Sequence, residues 1–176
     1  MDFPAVTNNE FFACLGSVFY EAVPREYRTY CTLTSRICQR ALQHFGIASK
    51  LVPCEVWYAS PTNTCAIGFF NTTSTAKWPG HVVCMAETWL IDAAIHHFQK
   101  DFNLSVPDIV VEKVFGIASN VITRFDISSE QRLWWVHPPT GAAVHIPDDP
   151  EEVIARYGEA LAARIRSILA NNREGP

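Results

Sequence analysis

Basic residues are scarce in this 176-residue chain: 14 Lys and Arg against 18 Asp and Glu leave a net charge of −4. Binding to nucleic acid through phosphate contacts needs a concentrated cationic surface, so that class of partner is excluded, and an anionic membrane surface with it. A basic stretch at the start is also lacking. The chain opens Met1-Asp2-Phe3-Pro4, with an acid where an export signal would carry positive charge, and Asn8, Asn9 and Glu10 interrupt its first apolar run. Export is therefore not expected, and a cytoplasmic location is. No apolar run is long enough for a bilayer. The longest uncharged stretch, residues 56–76, is full of Thr, Ser, Asn and Pro, which cannot satisfy a membrane interior as a helix. No CxxC pair occurs among the six cysteines, at 14, 31, 38, 54, 65 and 84, and no second His pair completes a tetrahedral set. No metal and no cofactor is expected, and the thiols are expected to be reduced. Internal repeats and a second domain boundary are absent too, so residues 1–176 read as a single domain.

What is present is a globular composition, 48% apolar and 18% charged with eleven Phe and five Trp. A chain of this length buries about 70% of the surface its unfolded form exposes, so burial alone can hold it together. Phe11, Phe12, Leu15, Val18 and Phe19 fall at helical spacing after a cap at Asn8 or Asn9. A second helix is predicted over 31–45, capped at its start by Thr29 and closed by Gly46. It has two apolar rows and little polar relief, and so reads as buried on most sides. Strands are predicted over 51–58, with Pro53 at an edge or bulge, and over 65–70, 81–86, 89–95 and 132–137. Residues 99–130 are ambiguous, with 108–114 either a strand or a helical turn. Asp149 as N-cap and Pro150 at the first helical position open a closing helix to about residue 170, with Ile154, Tyr157, Leu161, Ile165 and Ile168 on its inner face. The layout is α+β.

Cys31, at the start of the second helix, meets unpaired backbone N–H groups and the positive end of the helix dipole. That environment stabilises a thiolate, and the same N–H groups can donate to an oxyanion. If Glu87-Thr88 is a two-residue hairpin loop, residue 86 faces 89, and His81 and Asp92 project from one side of the sheet as diagonal neighbours within side-chain reach. A one-residue slip would separate them. Asp92, set between Trp89-Leu90-Ile91 and Ala93-Ala94-Ile95, needs a donor, because burying an unpaired acid is costly. Each residue also has an ordinary role open to it: Cys31 as a small core residue, His81 as a turn residue. His81-Val82-Val83-Cys84 and His96-His97 have a metal-like look, but on a strand or as neighbours their side chains diverge. Trp134-Trp135 offers either a stacking surface or a core residue.

A thiol heading a buried helix that ends Phe45-Gly46-Ile47, a strand from Lys50, then Gly80-His81-Val82-Val83 and Trp89-Leu90-Ile91-Asp92, resembles the transglutaminase-like branch of the papain-fold cysteine enzymes, which includes the arylamine acetyltransferases. The likeness spans residues 29–95 and extends to small bacterial proteins of that fold. It implies a papain/transglutaminase-like fold, in which a buried Cys-bearing helix packs on an antiparallel sheet with a further helix at the C-terminus. It also implies a thiol-dependent hydrolase or acyltransferase with a Cys31-His81-Asp92 triad, acting on an amide or thioester carbonyl of a peptide, protein or small acyl substrate. Tyr30 and Trp78 would then border the substrate groove. The chain departs from the pattern at Tyr30, Val82-Val83 and Ala93. A catalytically inactive binding or assembly protein is the alternative, and oligomeric state is not legible.

Overall fold

The computed structural model describes residues 8–68, 80–114, 120–142 and 146–172. Its elements, in order, are α1 (Asn8–Ala22), a 3-10 turn (Arg25–Tyr27), α2 (Cys31–Gln43), β1 (Ser49–Ala59), β2 (Thr64–Ile67), β3 (His81–Ala86), β4 (Trp89–Asp92), α3 (His97–Phe102), β5 (Val110–Lys113), β6 (Val121–Asp126), β7 (Arg132–Val136) and α4 (Glu151–Asn171). The chain is α+β, and every pairing in the sheet is antiparallel. Strand order is β5-β4-β3-β1-β7-β6, with β2 also on β1. The two ends of the sheet curl towards each other, since the Thr123 hydroxyl on β6 donates to the Lys113 carbonyl on β5 at 2.8 Å. Among the described residues no helix is long and apolar enough to cross a membrane.

β1 is the spine. Its first half, from Ser49 to Cys54, pairs with β3 alone, while its second half, from Glu55 to Ala59, pairs with β7 and, from Val56 on, with β2 as well. Pro53 lies in the half that has one partner, where its missing N–H costs the ladder nothing. Alternation along the strands separates two cores. Cys54, Val56, Tyr58, Val83, Leu90, Leu133 and Trp135 fill the interior of the curled sheet. On the reverse face Cys84, Ala86 and Ile91 meet Leu33, Ile37, Cys38, Ala41 and Leu42 of α2, together with the apolar stripes of α1 and α4.

Local chemistry sets the helix ends. Gly46 has φ +70. The Ile47 N–H donates to Leu42 O at 3.1 Å and the Gly46 N–H to Gln43 O at 3.1 Å, the paired bonds of a Schellman stop, so α2 ends two residues before the predicted position 45. At its start Tyr30, not Thr29, is the cap residue, and its side chain makes no capping bond. Pro150 rather than Asp149 caps α4, because the Asp149 carboxylate is turned to Thr32 and Arg36 of α2. Two elements are not assigned from the sequence, α3, which starts two residues before the ambiguous 99–130 region, and β6 within it; of the two readings open for 108–114 the strand is found, as β5. Of the strand predicted over 65–70, residues 64–67 form β2, and 69–70 lie outside the described residues.

α4 crosses α2 at Gly158. A Cβ there would stand 2.3 Å from Arg40 Cγ and 2.5 Å from Arg40 Cβ, atoms too near the backbone to swing away. Gly158→Ala should therefore destabilise by about 1–3 kcal/mol through overpacking, although alanine in a free helix gains about 1 kcal/mol over glycine. Urea unfolding decides it: a midpoint equal to or above that of the parent protein would refute the close approach.

Candidate active site

The Glu87-Thr88 loop has the two-residue length that places Ala86 opposite Trp89, Met85 opposite Leu90 and Cys84 opposite Ile91. Glu87 takes φ +53, an unusual cost for a non-glycine residue, and its carboxylate accepts from Asn8 Nδ2 at 2.7 Å. In this register odd-numbered residues of β3 face the curled interior and even ones face α2. His81 opens β3 on the interior side, opposite Cys54 of β1. Gly68 makes room for it: φ there is +77, and a Cβ would fall 2.5 Å from His81 Cβ and 2.7 Å from His81 N.

Asp92 ends β4 and is 1% exposed. Both of its oxygens are engaged. Oδ2 accepts from His81 Nε2 at 2.8 Å and from Trp135 Nε1 at 2.7 Å, and Oδ1 accepts from the Ala94 N–H at 3.0 Å, an Asx turn at the strand end. His81 is 2% exposed, and its side chain is also hydrogen-bonded to the side chain of Cys31. With Nε2 on the carboxylate, Nδ1 is the nitrogen left for the sulfur. The three residues that the sequence singles out as a triad are thus in one chain of contacts.

Cys31 is the first residue of α2 and is 6% exposed, packed with Val82 and Ala94. Side chains to which the sequence assigns no role at the site hold this helix start in place. Ser35 Oγ donates to Val82 O at 3.1 Å, fixing α2 against β3 one turn from the thiol. Thr32 Oγ1 donates to Asp149 Oδ1 at 3.2 Å. His97 donates from Nε2 to Thr29 O at 2.9 Å, holding the segment that leads into the helix. The Tyr20 hydroxyl donates to Ala93 O, next to Asp92. Tyr30 is 55% exposed beside the thiol. Trp78, the other residue expected at a groove, lies outside the described residues.

Burial acts on His81 to lower its pKa, but the Asp92 charge and the hydrogen bonds to Asp92 and Cys31 outweigh it and push the pKa up to about 10 from 6.5. At neutral pH the imidazole therefore holds its proton. Burial pushes the remaining core thiols the other way from reactivity: Cys38 and Cys54 are raised well above the usual range and Cys84 is raised to about 12. None of the six cysteines is in a disulfide. His81 and Cys84 lie on opposite faces of β3, and among the described residues no three His, Cys, Asp or Glu side chains are grouped to hold a metal ion.

No family model matches the chain, and no curated protein matches it. A solved genomics-target structure is similar over 97% of this chain and 82% of its own, at 14% identity and a TM-score of 0.39, too weak a likeness to carry an argument about fold or function.

The raised His81 pKa makes stability depend on pH. Above its unfolded value of 6.5 the folded state binds the extra proton, so this contribution is complete below pH 6.5, declines as pH rises and is gone above about 10. Over pH 6.5–9 the free energy of unfolding should fall with a slope of up to about 1.4 kcal/mol per pH unit, the limit for one proton. The buried thiols add to the fall only above pH 9, where their unfolded forms ionise. The lowered pKa of His96 acts below 6.5 and with the opposite sign. Asp92→Asn should flatten the slope between 6.5 and 9. Urea titrations at half-unit pH steps measure it, and an equal slope in the variant would remove Asp92 as its source.

Proposed function

We propose that the protein is a thiol-dependent acyl-transfer enzyme, a peptidase, amidase or acyltransferase of the transglutaminase-like, papain-fold type, with Cys31 as nucleophile, His81 as acid and base, and Asp92 as orienting carboxylate. The observation that carries this reading is the position of His81, bonded to the Asp92 carboxylate at 2.8 Å on one side and to the Cys31 side chain on the other. A helix start carrying the sulfur, a strand carrying the imidazole and a neighbouring strand carrying the acid are the parts that such chemistry requires.

In this reading the resting site is an ion pair: the proton His81 holds is the one Cys31 has given up, and the sulfur stands as the attacking thiolate. Sγ forms a bond to the carbonyl carbon of an amide or thioester. The oxyanion that develops is met by backbone N–H groups at the start of α2, which the Tyr30 side chain does not cap. On collapse the carbon–nitrogen or carbon–sulfur bond breaks and the leaving group takes the His81 proton. Water or another acceptor, deprotonated by His81, then releases the acyl group from Cys31. Asp92 fixes the ring so that one nitrogen stays turned to the sulfur, and Trp135 fixes Asp92. Tyr30, exposed beside the thiol, would border the substrate. Six cysteines outside any disulfide favour a reducing compartment such as the cytoplasm.

One observation favours the second reading, a binding protein in which the same three residues are only a buried polar cluster: Cys31, His81 and Asp92 are all less than a tenth exposed. Alkylation separates the two. A brief pulse of iodoacetamide should label Cys31 ahead of the other five thiols, and His81→Ala should slow that labelling by about 10²-fold or more, the scale of a lost proton acceptor. Trp135→Phe should leave the nucleophile in place while moving the pH at which labelling rises, because it changes only the carboxylate's partners. Uniform slow labelling, indifferent to His81, would leave the binding reading standing.

A further inference from the structure

Beyond the Cys31 site, the face of β1 that turns away from the curled interior forms the floor of a groove of about 590 Å³. The register sets Glu55, Trp57 and Ala59 on that face, opposite Val136, Trp134 and Arg132 of β7. Pro138 and Pro139 extend one wall. This is a size suited to a small ligand or a side chain with part of its backbone.

Glu55 is the anomaly. It is 7% exposed, its described hydrogen-bond partner is the neutral Trp57 indole, whose Nε1 donates to Oε2 at 3.2 Å, and among the described residues no Lys, Arg or His forms an ion pair with it. A carboxylate with one described neutral donor has acceptor positions left for a further partner. His137, next to Val136, also lines the groove but forms no ion pair with Glu55, and the arginines further along the sheet are committed elsewhere. Arg124 and Arg132 are held by Asp126 at 3.5 and 3.6 Å, and Arg124 lies over the Trp134 ring at 5.7 Å. One end of the face therefore carries a complete set of cation, carboxylate and indole. The other end, at Glu55 and Trp57, has the carboxylate and the indole and, among the described residues, no paired cation.

The geometry points to this groove as a binding site for an organic cation, the ammonium or guanidinium head of a lysine or arginine side chain in a peptide, with the head on Glu55 and the stem along Trp57. The head gains a charge-assisted hydrogen bond in a poorly solvated place, and the stem covers apolar surface. The chain's net charge of −4 favours approach of a cation. The site does not depend on Cys31 turning anything over.

The test uses the full chain and its Cys31→Ala variant, with the indole N–H resonances of the tryptophans followed by NMR. The probes are an acetylated Ala-Lys-Ala amide, its arginine and norleucine counterparts, and butylammonium. Lysine or arginine peptide should shift the Trp57 indole signal and bind about tenfold or more tightly than the norleucine peptide, with added salt eroding the difference. Glu55→Gln should remove that preference and leave the weak norleucine affinity unchanged. The salt response of the parent protein answers the same question should that variant fail to fold. Equal affinities for norleucine and lysine peptides, or no shift at Trp57, would overturn the site. Butylammonium binding as tightly as the lysine peptide would overturn the peptide assignment. A dimer seen by sedimentation and lost in Glu55→Gln, without cation binding, would give the groove to a second copy of the chain.

Discussion

A carboxylate sealed inside an apolar sheet is the constraint around which the rest of this molecule is arranged. Asp92 is surrounded by the interior core, and keeping its charge there is tolerable only if every lone pair finds a donor. Three donors come from three separate parts of the chain: the Ala94 N–H two residues on, His81 on the adjoining strand, and the Trp135 indole from β7 on the far side of β1. The first is local and forms as the strand ends. The second needs the β3–β4 register to be right to the residue. The third needs the sheet to have curled until β7 reaches across the interior. The charge thus penalises every arrangement in which the sheet is flat or slipped, and a buried polar group can act in this way to select one packing over others. It also keeps the His81 proton in place well above neutrality.

The reach from α2 to this centre follows from β1. Because its first half pairs with β3 and its second half with β7, the strand passes beneath the start of α2 and continues beyond it. Leu51 packs with Cys31 and Val82, so the thiol sits where β1 and β3 are adjacent, one position from the strand residue His81. Ser35 bonded to the Val82 carbonyl then fixes the height of the helix on the sheet. A shift of α2 by one residue rise, about 1.5 Å, would pull the sulfur away from the imidazole. The Schellman stop at Gly46 and the close contact of Gly158 on Arg40 limit that sliding from the other end.

Legibility in the sequence followed the range of the interactions. The α+β layout, the Cys31 helix with its glycine stop, the hairpin and the closing helix all rest on patterns spanning a few residues, and each element is found within a few positions of where its pattern puts it. The shared face of His81 and Asp92 was legible because strand parity across a two-residue loop is arithmetic, even though Glu87 is a poor residue for the left-handed turn it makes. Thr29 looked like a cap and is not one, since its carbonyl is claimed by His97 from sixty-eight residues away and the helix starts one residue later. Trp135 showed only that one of two adjacent indoles would face inward. That its N–H would meet Asp92, forty-three residues back, depends on the curl of the whole sheet. Gly68 belongs to the same class: a glycine after a short strand signals a turn, but its use as clearance for a histidine appears only once β2 and β3 share the edge of β1.

Two charged features sit back to back on β1. Cys54, opposite His81, faces the interior, and the next residue, Glu55, faces the outer groove. Adjacent residues of a strand point to opposite sides, so the acid of the triad and the acid of the groove are separated by the thickness of one sheet and by a core that excludes water. Each carboxylate is better accommodated with a cation of its own. Asp92 has the His81 imidazolium within the fold. For Glu55, whose described partner is a neutral indole, a ligand cation is a counterpart that the open face of the groove can admit. A ligand cation there would pair with Glu55 without touching the proton held between Asp92 and His81.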